Sequence, residues 1–254
     1  MESKAFENYT DRLRASLLDA GGVVGLVIMG STAHAKFRDE WSDHDLWVIT
    51  ETGAQDALVE DLSWLPDYRD ILLVVTHGKH RRTVMYRNRH KTEFAVFDVN
   101  EAREGKVERY RVLIDRDNIA ELIESIHEHT IQEVQPKHDG LENLCVLLWT
   151  ACERYKRGEL LSARQWVDGF AVNQLLSLIS STEPAEDSKD PLDVRRRLEL
   201  RSPELAAELF SQLGKTVPQA ALGLLQIAER ELKAKSPSLA WDKATMVGDW
   251  IRDV

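Results

Sequence analysis

The spacing of apolar residues changes near residue 130, and this change limits the folds open to the chain. Before it, apolar runs rich in β-branched residues indicate strands at Val23–Met29, Asp45–Thr50 and Ile71–Thr76. After it, apolar residues recur at the three- and four-residue spacing of helices. The sequence therefore predicts an α+β protein, in which a mixed-sheet N-terminal domain, residues 1–131, precedes an all-helical C-terminal domain, residues 132–254.

Shorter patterns complete the N-terminal domain. Two more strands are predicted at Thr83–Tyr86 and Glu93–Val99, and helices at residues 4–20, Ala54–Leu62 and Asn118–His129. Strands and helices are thus mixed through this half of the chain.

Two apolar stripes mark the helical domain. The first comprises Leu141, Leu144, Cys145, Leu148, Cys152 and Tyr155, and the second comprises Leu205, Ala206, Leu209, Phe210 and Leu213. Apolar periodicity is lost at residues 132–140, which marks the break between the domains, and the polar stretch 180–191 is predicted to be a loop. A cleft between the two domains is the expected ligand site.

Composition excludes several classes of protein. The 254 residues carry 43 acidic and 33 basic side chains, for a net charge of −10, and 43% of them are hydrophobic. These values are typical of an ordinary folded protein. Because the chain has no Lys/Arg tract, neither nucleic acid nor a membrane surface is expected as a partner. No stretch approaches the roughly 18 apolar residues that cross a bilayer, and a cytoplasmic location is expected.

The most informative segment reads GLVIMGSTAHAKFRDEWSDHDLWVIT. Its apolar strand leads into Gly30-Ser31, where glycine lets a phosphate approach the backbone and Ser31 is expected to cap a short helix whose free N–H groups face an anion. Asp43 and Asp45 then enter the second strand. The two-residue period of a strand places their carboxylates on one face and His44 on the other.

Two carboxylates held this close repel each other unless a cation neutralises them, and Mg²⁺ is a hard cation that prefers oxygen ligands. The aspartate pair therefore predicts a magnesium site. A phosphate-binding turn beside such a site is the combination that phosphoryl or nucleotidyl transfer requires. Each feature alone is common in solvated loops and strands. The prediction depends on their order along the chain, as strand, Gly-Ser turn, short helix and second strand.

In this order the segment resembles the nucleotidyltransferase superfamily that shares its core with DNA polymerase β. Its signature is Gly-Ser followed by Asp-h-Asp-h, where h is apolar, and His44 departs from the apolar middle position. The resemblance implies a third carboxylate on a neighbouring strand. Glu93 and Asp98 are the candidates, on opposite faces of their strand, and periodicity alone does not choose between them. Similarity to antibiotic-modifying members favours Glu93, as third metal ligand or as general base.

A second resemblance lies in the helical domain. The segment RYKRGELLSA, residues 154–163, is similar to the helix–turn–helix that opens this domain in aminoglycoside and lincosamide nucleotidyltransferases. In those families the domain supplies basic residues to the triphosphate and acidic residues to the antibiotic. The resemblance implies nucleotide binding by Lys156, with Arg157 and Arg164 as alternatives, and acceptor binding by Glu159. Solvated helix ends joined by a turn are the other interpretation.

These resemblances together predict a Mg²⁺-dependent nucleotidyltransferase that moves a nucleoside monophosphate onto a hydroxyl of a small molecule. AMP from ATP is the group expected first. Asp43, Asp45 and Glu93 are the expected catalytic residues and metal ligands, with two Mg²⁺ ions. Gly30 and Ser31 are expected to bind the β and γ phosphates of ATP or another nucleoside triphosphate. An aminoglycoside or lincosamide antibiotic is the first acceptor expected.

Two other functions stay open. One is a protein-modifying nucleotidyltransferase, which the large helical domain disfavours. The other is a nonenzymatic nucleotide-binding regulator, which the intact pair Asp43 and Asp45 disfavours. The sequence does not choose between a monomer and a homodimer.

Overall fold

The computed structural model describes residues 3–34, 36, 38–133, 140–183 and 192–254. The chain divides into two compact units, residues 1–133 and 134–254. The domain boundary predicted at residue 131 falls in the last turn of a helix that ends at Glu133. Of the interdomain break predicted at 132–140, residues 134–139 lie outside the described residues, while 132 and 133 belong to this helix. Of the loop predicted at 180–191, residues 184–191 lie outside them, while 180 and 181 end a helix.

The N-terminal unit is built on a six-stranded mixed sheet. Its strands are β1 (Val23–Met29), β2 (His44–Thr50), β3 (Ile71–Thr76), β4 (Arg81–Tyr86), β5 (Lys91–Asp98) and β6 (Tyr110–Asp115). Its helices are α1 (Ser3–Leu18), α2 (Gly30–Ala33), α3 (Gln55–Glu60), α4 (Val99–Arg103) and α5 (Ile119–Glu133). The strand order is β3-β4-β5-β2-β1-β6; β2 and β5 run parallel, whereas the other neighbouring pairs are antiparallel.

Side chains of the central strands alternate between two apolar cores, one on each face of the sheet. The first core contains Leu13 of α1 and Leu46 of β2. The second contains Ile123 of α5 and Ile49 of β2. Because β1 and β2 are covered on both faces, they read as nearly continuous apolar runs rather than as an alternating pattern.

The predicted strands are confirmed to within two residues at each end, and the short helix expected at the Gly-Ser turn is α2, but the sequence patterns missed β6 and α4. Charged residues interrupt β6, and α4 is too short for a periodic signal. β3 differs in another way. Its apolar residues Leu72–Val75 are exposed, because β3 is an edge strand that extends beyond the two cores.

The C-terminal unit contains helices and one apolar core. Its helices are α6 (Gly140–Lys156), α7 (Leu160–Gln165), α8 (Val172–Ser181), α9 (Leu198–Arg201), α10 (Pro203–Leu213), α11 (Val217–Leu232) and α12 (Trp241–Arg252), and a π-helical segment, Trp166–Ala171, joins α7 to α8. Leu205 and Leu209 of α10 are buried as predicted. The inclusion of Phe210 in their stripe is wrong, because the next residue along a helix turns by about 100° and this ring is 84% exposed.

The α+β prediction, a mixed sheet followed by helices, is confirmed. Within the ranges that the structure describes, no helix combines the length and the apolar character needed to cross a bilayer.

Candidate active site

Three carboxylates lie on one face of the sheet where β2 and β5 begin. Because these strands are parallel, their N-terminal ends lie side by side, and Asp45 is the register partner of Glu93. Asp43 immediately precedes β2, and its Oδ2 lies 2.8 Å from Nζ of Lys91, two residues before Glu93 on β5. The structure thus brings together Asp43, Asp45 and Glu93, which we call the acidic cluster.

Lys91 bridges two members of this cluster. Its Nζ contacts Asp43 Oδ2 at 2.8 Å and Glu93 Oε1 at 2.6 Å. Burial opposes the charge on the ammonium, but the hydrogen bonds to Asp43 and Glu93 outweigh it and raise the pKa of Lys91 to about 12. Sequence reasoning missed this residue. The one available signal was its place two residues before a candidate carboxylate, which puts both side chains on the same strand face.

His44 points to the opposite face of β2 and is fully buried. Its Nε2 lies 2.9 Å from Thr10 Oγ1, its Nδ1 lies 3.1 Å from His90 Nε2, and its ring stacks on Phe6 with centroids 3.7 Å apart. Burial lowers the pKa of His44 to about 2, and His90 adds to this effect. A histidine can therefore occupy the usually apolar middle position, because both ring nitrogens have partners in the core.

The Gly-Ser turn begins beside the acidic cluster, since Met29, the last residue of β1, is the register partner of Asp45. Gly30 has φ of 57°, and a Cβ added there would meet no atom within 4 Å. Backbone conformation, and not crowding, therefore selects glycine. The prediction that Ser31 caps the helix is wrong: α2 already begins at Gly30, so Ser31 lies inside it and is buried.

Thr32 joins α2 to the aspartates. Its Oγ1 donates to the carbonyl oxygen of Asp43 at 2.9 Å and accepts from the N–H of Asp45 at 3.2 Å. These bonds fix the backbone on both sides of His44. Sequence reasoning missed Thr32, because a lone threonine in a polar stretch carries no periodic signal.

The alternative third carboxylate, Asp98, lies at the other end of β5, in register with Thr50. Its Oδ1 accepts the N–H groups of Asn100 and Glu101, both at 2.9 Å, and forms a capping box at the start of α4. The bond from the Glu101 N–H is the main cause that lowers the pKa of Asp98, with burial opposing it. Asp98 therefore serves the fold, whereas Glu93 lies with the paired aspartates.

The predicted residues of the helical half lie around a turn within the C-terminal unit. Lys156 ends α6 and is exposed, and Gly158 turns the chain with φ of 76°. Glu159 precedes α7 and accepts a hydrogen bond from Arg157 Nε at 2.9 Å. Arg164, an alternative phosphate ligand, donates to backbone carbonyls of its own unit and pairs with a carboxylate there. The roles of Lys156 and Glu159 at substrates remain predictions.

The donor set of the acidic cluster fits a hard divalent cation. Carboxylate oxygens are the ligands that Mg²⁺ prefers, and Mg²⁺ is usually held by one or two carboxylates together with substrate phosphates and water. In the described part of the chain, no three His, Cys, Asp or Glu side chains form a ligand group by themselves. Asp43 and Asp45 supply oxygen donors of the type that such an ion prefers, with Glu93 beside them.

A Gly-Ser turn after one strand, paired aspartates on the next and a third carboxylate on its parallel neighbour form the arrangement that the resemblance to nucleotidyltransferases implies. The family model described as streptomycin adenylyltransferase matches residues 19–182, more than half of the sequence, and the chain belongs to this family. The predicted enzyme class, an adenylyltransferase, is thereby confirmed.

Comparison with solved structures gives thirteen matching chains. One is an aminoglycoside 6-adenyltransferase from Bacillus subtilis, with 12% sequence identity, a TM-score of 0.36, and coverage of 98% of this chain and 97% of that chain. A search of the curated proteins finds no match.

Proposed function

We propose that this enzyme transfers AMP from ATP to a hydroxyl of a small cationic acceptor and releases pyrophosphate. The observation that carries the proposal is the register pairing of Asp45 with Glu93, with Asp43 on the same face. Family membership supports the adenylyl group as the group transferred.

In the proposed reaction, the acceptor oxygen attacks the α-phosphorus of ATP, the bond from that phosphorus to the oxygen bridging to the β-phosphate breaks, and pyrophosphate leaves. Asp43 and Asp45 hold the metal, with two ions expected, and Glu93 completes the site and accepts the proton of the acceptor hydroxyl. Mg²⁺, when bound, orients the triphosphate and neutralises charge on the leaving group. Gly30 and Ser31 bind the β and γ phosphates of ATP in this reaction.

An aminoglycoside such as streptomycin is the first acceptor proposed, and a lincosamide the second. The net charge of −10 favours a cationic molecule, and streptomycin gives the family its name. We assign the nucleotide chemistry to residues 1–131 and acceptor binding to residues 132–254, with Lys156 at the nucleotide and Glu159 at the acceptor. A homodimer stays an expectation, which light scattering of the full chain tests.

Calorimetric titration with ATP, with and without Mg²⁺, tests the proposal. Wild type is compared with the double variant Asp43→Asn/Asp45→Asn and with Asp11→Asn, which removes an exposed carboxylate of α1. Mg²⁺-dependent ATP binding is expected in wild type and in the Asp11 control, and is expected to be lost in the double variant. Pyrophosphate release is then measured with streptomycin and lincosamides. ATP binding that persists unchanged in the double variant contradicts the metal assignment.

A further inference from the structure

Lys91 contacts two members of the acidic cluster, and the proposed reaction leaves it without a task. It begins β5, and the register that pairs His44 with Thr92 puts it beside Asp43. Its ammonium lies between Asp43 Oδ2, at 2.8 Å, and Glu93 Oε1, at 2.6 Å. The side chain is about two-fifths exposed, so it has room to move.

These contacts use oxygen atoms that a divalent cation also needs. Hydrogen bonds between an ammonium and a carboxylate are charge-assisted and take up lone pairs of the acceptor oxygen. A metal ion bound to the same oxygens would lie a few ångströms from the lysine charge, where like charges repel strongly. The two cations are therefore expected to compete for Asp43 and Glu93.

We propose that Lys91 competes with the divalent cation for Asp43 and Glu93, so that the protein binds the cation weakly alone and tightly together with nucleotide. This inference rests on the proposed function. The triphosphate supplies an alternative anionic partner for the ammonium, which sits on a flexible four-carbon stem. When Lys91 pairs with phosphate, both carboxylates become free for the metal. Lys91 is then a positioning residue that couples the binding of cation and nucleotide.

Mn²⁺ binding, followed by electron paramagnetic resonance, measures this coupling in the full chain. Mn²⁺ is titrated with and without a non-hydrolysable ATP analogue. Lys91→Met keeps the length of the side chain and removes its charge, whereas Lys91→Arg keeps the charge. Lys79→Met is the matched control, because Lys79 also pairs with a carboxylate, that of Asp56 at 3.2 Å, outside the acidic cluster.

Without nucleotide, Lys91→Met is expected to bind Mn²⁺ at least about tenfold more tightly than wild type, since removing one nearby like charge has an effect of this order. Lys91→Arg and Lys79→Met are expected to bind like wild type. With the analogue, the difference between Lys91→Met and wild type is expected to shrink to less than about threefold, because Lys91 no longer occupies the carboxylates. Lys91→Gln replaces the methionine variant if that variant does not fold.

Unchanged or weaker Mn²⁺ binding by nucleotide-free Lys91→Met overturns the inference, and so does a gain that is the same with and without the analogue. A lower melting temperature with unaltered Mn²⁺ affinity also overturns it, since that result identifies a purely structural ion pair. If wild type does not bind Mn²⁺ even with the analogue, the result contradicts the proposed function itself. The inference then fails because it rests on that function. Loss of Mn²⁺ binding in Asp43→Asn/Asp45→Asn shows that the ion is at this site.

Discussion

Asp45 and Glu93 are register partners on the parallel strands β2 and β5, so their carboxylates project side by side from one face of the sheet. The chain between them passes through α3, β3 and β4 before β5 returns beside β2. At the far end of the same strand, Asp98 caps α4. A single strand thus carries two acidic residues with different tasks, one at the acidic cluster and one in the fold.

This division predicts opposite effects for substitution of the two residues. Glu93→Gln is expected to lower the rate of AMP transfer at least about a hundredfold, the order of effect of removing a proton acceptor. Asp98→Ala is expected to keep most of the rate and to lower the free energy of unfolding by about 1 kcal/mol, the cost of a lost N-cap. Pyrophosphate release and urea denaturation measure the two quantities. The reverse pattern would show that Asp98 is the third carboxylate.

Gly30 and Gly53 form a matched pair of glycines. Both have positive φ, 57° and 91°, and a Cβ at either position would meet no atom within 4 Å. Gly30→Ala and Gly53→Ala are each expected to cost about 1 kcal/mol of stability, because alanine disfavours this conformation. Only Gly30→Ala is expected to weaken MgATP binding, by about tenfold or more, because the phosphates are proposed to approach there. Equal ATP affinities of the two variants, measured by calorimetry, would argue against this phosphate position.

His90 makes the stability of the N-terminal unit depend on pH. Burial lowers its pKa to about 4 in the folded chain, whereas an unfolded histidine titrates near 6.5. The unfolded state therefore binds more protons between these values. The stabilising contribution is complete above pH 6.5 and is lost as pH falls toward 4. The loss attributable to His90 is on the order of 2 kcal/mol at pH 5.

Thermal unfolding at pH 7 and pH 5 measures this effect. His90→Gln is expected to show a smaller fall in melting temperature between the two pH values than wild type does. The control is His34→Gln, which replaces an exposed histidine. The control is expected to behave like wild type, and a His90→Gln variant with the wild-type fall would refute the assignment.

Because β3 is an exposed edge strand, two register-paired valines are expected to differ in their tolerance of substitution by lysine. Val74 is 47% exposed, whereas Val84, its register partner on β4, is fully buried. Val74→Lys is expected to change the free energy of unfolding by about 0.5 kcal/mol or less and to reduce self-association, because a lysine on an edge strand hinders pairing with another chain. Val84→Lys is expected to prevent folding, since it buries an unpaired charge. Dynamic light scattering and circular dichroism measure both effects. Increased scattering by Val74→Lys would contradict the prediction.

Most strands were predictable from the sequence because their apolar runs are bounded by glycine or polar residues, as at Val23–Met29. The same runs do not reveal sheet order. Ile71–Thr76 reads like a central strand, yet it lies at the edge, because the number of layers covering a strand depends on residues distant in sequence. Phe210 shows the same limit in a helix, where the pattern does not define the width of the buried stripe.

The succession of residues in the sequence determined the candidate site in outline. Gly30-Ser31 follows a strand, and Asp43 and Asp45 lie at the start of the next. Strand periodicity is a property of neighbouring residues, so the sequence alone established which of these side chains share a face. Only the tertiary structure put Glu93 beside Asp45, Lys91 between two carboxylates and Thr32 against the aspartate backbone. Those contacts depend on the pairing of β5 with β2 and on the path of α2, which arise from packing between segments far apart in the chain.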